Sequence, residues 1–238
     1  MNLSVVMVTR NCADVVGEAL ESVDGLWDKL LVSDQNSTDG TVEILEQYKA
    51  TIFITESDNL GKRKQELVKK ARGDWIFILD SDERVSPELY DEIKRIGGKY
   101  RGYRIPYQNY VFGRPVYWGG ERYSKVRLFR KGYGHVTEVP LHEDVIVNGK
   151  IGDLNGVIIH HSFRTPAQLF KKFTRYARVA ARHKKERVTF RKLFLYGPHM
   201  FWARFVNEQG YKDGLHGFVL ALAFAYMEVL TYWFMIFV

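Results

Sequence analysis

The stretch that decides the fold is "DWIFILDSDERVSPELYDEI", Asp74 to Ile93. Trp75 to Leu79 form an unbroken apolar run, as a strand covered on both faces requires. The run ends at once in Asp80, Ser81 and Asp82. In an extended chain residues i and i+2 share a side, so this spacing predicts two carboxylates facing one point. Their repulsion calls for something positive there, and a divalent cation meets that need. The plainer reading is a solvated strand end. Ser86 and Pro87 then open a helix, as N-cap and first helical residue.

Outward from this stretch, the first hundred residues alternate strand and helix. Strands are predicted at 3–9, 29–34, 51–56 and 75–79, and helices at 13–23, 41–48, 61–72 and 87–96. Repeated βα units give a mostly parallel, Rossmann-like sheet flanked by helices, with ligands beyond the carboxyl ends of the strands. Asp34 and Asp80–Asp82 both fall on that edge. From Tyr100 the pattern changes to short runs punctuated by glycine and rich in tyrosine and arginine, which reads as hairpins completing the sheet.

The chain has 238 residues, enough for one sizeable α/β domain with an appendage. Cys12 is the single cysteine, which excludes an internal disulfide framework. Met1 leads straight into a strand-like run, so a secretory leader is not expected. The net charge of +7 is concentrated: residues 163–192 hold eleven Lys/Arg against one acid, leaving −3 for the rest. A local anionic partner is therefore expected at that segment.

Four pieces, "VVMVTRN", "VSDQNSTDGT", "NLGKRKQ" and "LDSDE", in that order, resemble the nucleotide-binding half of family 2 glycosyltransferases. Four later ones, "VRLFRK", "LHED", "HHSF" and "NEQGYKDGLHGF", resemble the branch containing bacterial lipopolysaccharide inner-core β-glucosyltransferases. The resemblance implies the GT-A fold and inverting transfer. It divides the chain into a catalytic domain at 1–162, with a nucleotide-sugar half at 1–99 and an acceptor half at 100–162, and a basic, hydrophobic helical extension at 163–238.

The resemblance also implies roles for single residues. Thr9 and Asp34 would meet the nucleotide base, Asp82 would hold Mn²⁺ or Mg²⁺ against the donor diphosphate, and Asp80 would face the ribose or the metal. Ser81, Asn59, Lys62 and Arg63 join them as donor-site candidates, although lysines on a helix are more often solvated. The family's general base is an acid near "VPLHEDV", so Glu143 is the choice, with Asp144 behind it. His142 would orient that base or touch phosphate. One of His160 and His161 would add a metal ligand, against the commoner reading of a structural strand-end histidine. Arg127 and Trp118 are acceptor candidates. The plainer readings are an edge strand with its arginines in solvent and an aromatic packed in the core.

The tail 217–238 carries one charge, Glu228, and as a helix is about 33 Å long, enough to cross a bilayer core. Gly217, Ala221, Ala225, Glu228 and Tyr232 form a small-or-polar stripe along it, which favours a helix attached to one leaflet over a span, and either over a core helix. The expected partners are a nucleotide-sugar donor with UDP-sugars favoured, a lipid-linked or lipopolysaccharide acceptor, and an anionic membrane surface. No nucleic acid is expected. The expected place is the cytoplasmic face of the inner membrane. The Gln-x-x-Arg-Trp signature of processive family members is absent from the sequence, which points to addition of one sugar. Two rivals stand beside this reading: a sugar nucleotidyltransferase, and a non-catalytic nucleic-acid-binding module using the basic segment.

Overall fold

A computed structural model describes residues 2–139, 143–184 and 186–237. The chain divides into two compact units, one of residues 1–107 and 123–160, the other of residues 108–122 and 161–238.

The first unit begins as predicted, with β1 (Leu3–Thr9), α1 (Val16–Glu21), β2 (Lys29–Asp34), α2 (Thr41–Gln47), β3 (Thr51–Ile54), α3 (Leu60–Lys70) and β4 (Trp75–Ile78). A short β5 (Glu83–Val85), α4 (Pro87–Lys94), β6 (Gly102–Val111), β7 (Arg114–Val116) and β8 (Ser124–Arg130) follow. Then come β9 (Gly134–Val136), β10 (Val145–Val147), β11 (Ile151–Asp153) and β12 (Ile158–Phe163). β6 and β12 each run from the first unit into the second.

The sheet order is β3-β2-β1-β4-β8-β6. β1, β2, β3 and β4 are mutually parallel, β8 runs antiparallel to both β4 and β6, and β11 is parallel to β6. This mixed, mostly parallel sheet is a GT-A arrangement. All seven residues of β1 are buried because the strand serves two cores. Leu3, Val5 and Met7 pack with Val16 and Leu20 of α1 and Leu89 of α4, whereas Val6 and Val8 pack with Leu67 and Val68 of α3. α4 starts as expected, with Ser86 accepting from the Leu89 amide and Pro87 in the first turn.

β8 departs from the expected edge strand. It lies between β4 and β6, so its inward side chains, Arg127 among them, are covered from both sides.

The second unit contains β7 paired with Asn109–Val111 of β6, and three helices: α5 (Pro166–His183), α6 (Phe190–Trp202) and α7 (Gly214–Phe234). A π-helical turn (Ala203–Asn207) and a 3-10 turn (Gly210–Asp213) join the last two. Leu169 and Phe173 of α5 pack with Leu220 and Ala223 of α7 and with Val111 and Val116. The predicted stripe on the tail is turned inward: Gly217, Ala221, Ala225 and Tyr232 are buried. α7 therefore builds the core of its own unit along one face, a role ranked last by the sequence reading.

Candidate active site

The edge beyond β1 and β2 is a closed polar lock. The Thr9 hydroxyl donates to Oδ2 of Asp34 at 2.7 Å, and Ser37 adds its amide to Oδ1 at 2.8 Å and its hydroxyl to Oδ2 at 2.6 Å. Asp34 has no solvent exposure. Thr9 and Asp34, both expected at the nucleotide base, are bonded to each other, and Asp34 also to Ser37. Arg63 lies beneath them. Its guanidinium donates to the carbonyls of Thr9 (3.0 Å) and Ser33 and to the Ser33 hydroxyl (3.2 Å), which ties the ends of the two strands together.

Helix α3 explains which of its cations point inward. Its buried positions are Gly61, Arg63, Lys64, Leu67 and Val68, a set at helical spacing, while Lys62 is exposed. Asn59, expected near the donor, is the N-cap of α3, accepting from the Lys62 amide at 2.9 Å and donating to the Glu138 carbonyl at 3.2 Å. Gly61 is needed where the helix meets the chain before Glu143: a Cβ there would stand 2.1 Å from the Thr137 carbonyl oxygen.

The two aspartates take different partners. The Glu83 amide donates to the Asp80 carbonyl at 3.0 Å and the Asp80 amide to Oε2 of Glu83 at 2.9 Å, closing a turn with Ser81 and Asp82 at its corners. The rule that i and i+2 share a side holds for extended chain, and this segment bends. Asp80 turns into the protein. Its Oδ2 accepts from Nη2 of Arg127 at 2.9 Å, and its Oδ1 lies 2.6 Å from Nζ of Lys64. That second contact falls outside hydrogen-bond alignment, so it is an ionic contact. Asp82 instead lies 3.5 Å from Nε2 of His160, which sits across from Glu83 in the β5–β12 pair.

Around Asp80 the charges form a chain. Arg127 bonds Oε1 of Glu83 at 3.1 Å and the Tyr107 hydroxyl at 2.5 Å, and that hydroxyl donates to Glu83 at 2.9 Å. Arg127 is therefore part of the wall, 6% exposed, with its fork filled from within. Lys64 bonds Oε1 of Glu143, so one buried ammonium holds both the "DSD" turn and the acid expected to be the base. Burial alone would raise the Asp80 carboxyl, but Lys64 and Arg127 outweigh it and hold it below the carboxylate range. Burial raises Glu83, with Asp80 adding to the rise and Arg127 opposing it. Burial would lower Lys64, and the carboxylates of Asp80 and Glu143 more than offset that.

A small cavity beside this chain is lined by Lys64, Lys125, Arg127, Glu143 and Asp144. Asp144 is exposed and its amide donates to the Thr137 hydroxyl at 2.9 Å. His142 lies outside the described residues. His161 and Trp118 belong to the second unit, where His161 stacks on Tyr110 at 5.0 Å and Trp118 lies 4.1 Å from the Lys212 ammonium and 4.9 Å from the Arg122 guanidinium.

Among the described residues, no three His, Cys, Asp or Glu side chains converge as a metal cage. The donor set nevertheless fits Mg²⁺ or Mn²⁺, which take one or two carboxylates and complete their shell with water and substrate phosphate. Asp82 and His160 are the pair suited to this, being partly open to solvent at 34% and 19%. Asp80 already faces two cations.

Residues 4–135 match the model of Glycosyl transferase family 2. The chain belongs to this family. As a family 2 glycosyltransferase it uses a nucleotide-sugar donor, which decides between glycosyl transfer and nucleotidyl transfer. An uncharacterized glycosyltransferase of Rickettsia typhi is 26% identical over 96% of this chain and 84% of its own length. A poly(ribitol-phosphate) beta-glucosyltransferase of Bacillus spizizenii is 30% identical over 100 residues, covering 37% of this chain and 16% of that protein. A crystal structure of S. aureus TarS shares the fold at a TM-score of 0.50 and 17% identity, over 90% of this chain and 46% of that one.

Lys64 is a site residue that the motif expectations, which include Lys62 and Arg63, do not contain. Helical phase was the available signal: position 64 shares a face with Leu60, Leu67, Val68 and Ala71. A lysine on the apolar face of a helix needs a buried partner.

Proposed function

We propose that this glycosyltransferase moves a single sugar, with inversion, from a nucleoside diphosphate sugar to a hydroxyl of a lipid-linked or lipopolysaccharide-type glycan at the cytoplasmic face of the inner membrane. The observation that carries the reading is the Glu143–Lys64–Asp80 chain, which links an acid suited to proton removal to the acidic turn at the carboxyl end of β4. Glu143 takes the proton of the attacking hydroxyl at a carboxylate oxygen, while Lys64 fixes that carboxylate in place. Arg127 and Tyr107 hold Asp80 and Glu83, so the turn keeps its shape as charge moves nearby.

Asp82 and His160 would hold a divalent ion, which when bound neutralises charge on the leaving diphosphate. The β-glucosyl product named for the Bacillus relative supports inversion, since hexose donors are commonly α-linked to their nucleotide. A UDP-sugar is the donor class put forward.

The test is transfer from UDP-, GDP-, dTDP- and CDP-sugars with and without Mn²⁺, with the new anomeric centre read by its proton coupling. Transfer from one donor class, dependent on the ion and giving the inverted anomer, is expected. A retained anomer would overturn the role given to Glu143.

A further inference from the structure

The second unit leaves two surfaces uncovered by its own packing. On α7 the exposed large apolar residues are Leu215, Phe218, Leu222, Val229 and Trp233, spaced by three, four or seven, and Ile236 follows just past its end. From Leu215 to Trp233 they form one apolar stripe about 27 Å long. α6, packed beside α7, adds Phe194, Leu195 and Trp202. A helix facing water ordinarily carries charge on that side, and an apolar band this long marks a docking surface.

The charges near this band are sorted by sign. Two acids here are paired: Glu228 accepts from Lys184 at 3.2 Å, and Glu186 bonds Lys192, the Tyr232 hydroxyl (2.8 Å) and Lys184 (3.1 Å). The cations are turned outward. Lys171, Arg175, Arg178 and Arg182 line the exposed face of α5, opposite the buried Leu169, Phe173, Ala177 and Ala181. The Arg178 guanidinium lies 5.3 Å from the ring of Phe234, next to Trp233, which brings the basic row to the C-terminal end of the apolar stripe.

We propose that this face docks on an anionic lipid surface, with the cations of α5 at the headgroups and α7 lying in the plane of the interface. The proposal deepens the lipid-linked acceptor reading and rests on it only for its purpose. Lipid complements both halves of the surface at once: acyl chains take the apolar stripe, and anionic headgroups take the cations. A second copy of the chain would cover the stripe but bring two basic rows together, with Glu208, in the turn between α6 and α7, as the one fully exposed acid among the described residues from α5 to α7. A span fails for a different reason. The small residues of α7 and Glu228 are engaged inside the bundle, and crossing would carry the α5 cations toward hydrocarbon.

The experiment uses the full chain without any sugar nucleotide, so its result is independent of catalysis. Cosedimentation with phosphatidylglycerol–phosphatidylcholine vesicles should exceed that with phosphatidylcholine alone by 10-fold or more. The pair Leu222→Gln and Trp233→Gln should weaken it at least 10-fold. The pair Arg175→Glu and Arg178→Glu, which leaves the apolar stripe intact, should remove the lipid-charge preference and its salt sensitivity. An environment-sensitive NBD label at either Leu215→Cys or Ile236→Cys should be fully reduced by dithionite added outside the vesicles. Binding indifferent to both variants, a dimer in vesicle-free solution abolished by the Leu222 and Trp233 changes, or protection of one labelled end would each overturn the proposal.

Discussion

The ammonium of Lys64 lies 2.6 Å from Oδ1 of Asp80 and bonds the carboxylate of Glu143 as well. One helix side chain thus couples two acids 63 residues apart in sequence. Lys64→Met should leave Glu143 without its cation and Asp80 with Arg127 alone, and cost about 3–5 kcal/mol, the range for breaking a buried pair. Urea unfolding at pH 7 reads this, and an unchanged midpoint would remove Lys64 from the centre of the network.

The two aspartates of the "DSD" turn should behave differently. Asp80→Asn should cost about 2–4 kcal/mol of stability, since a neutral amide cannot answer both Lys64 and Arg127. Asp82→Asn should leave the melting temperature within a few degrees and lower Mn²⁺-dependent transfer by about 10²-fold. Equal stability losses in the two variants would contradict the bend at Ser81.

Asp80 also predicts a pH dependence. Its folded carboxyl is held below the ordinary value of 3.8, so the stability it contributes is full above about pH 4 and fades as pH falls further. The difference in unfolding free energy between the wild type and Asp80→Asn should be constant from pH 7 to 5 and shrink below pH 4. A difference that grew on acidification would reverse the sign assigned to this group.

Glu143→Gln should lower transfer by about 10²-fold or more while donor affinity changes little, because a missing base is felt in the transition state. Asp144→Asn should be mild, its side chain being exposed. Calorimetric donor binding beside turnover separates the two effects, and reversed phenotypes would move the base to Asp144.

Arg63 and Lys62 offer a contrast between neighbours. Arg63→Met removes the guanidinium donors from the Thr9 and Ser33 carbonyls, leaving Thr9 only the Gln35 amide, and should cost about 2–3 kcal/mol, whereas Lys62→Ala should stay within about 0.5 kcal/mol. Thermal melts suffice, and a stable Arg63→Met would mean that the strand ends hold without it.

The bounds of β1 and β2 were readable because each has an apolar centre, Val5–Val8 and Leu30–Val32, and ends in a polar cluster. The start of α4 was readable because its cap is local. What escaped was decided by residues far apart in sequence. Arg127 looked solvated because nothing in "VRLFRK" says that β4 and β6 flank it. The turn at Ser81 depends on Glu83 reaching back to the Asp80 amide, and an alternation argument has no term for such a bond. The inward turn of Arg63 and Lys64 follows helical phase, which the charge of the segment masks.

The Arg63 tie has an effect on recognition. Because the guanidinium fastens the Thr9 and Ser33 carbonyls within the folded chain, the entropy of ordering this edge is lost during folding and not when a ligand arrives. Whatever binds beyond β1 and β2 meets a rigid floor, so its affinity reflects the contacts it makes and little of the loop closure that weakens binding at soft sites.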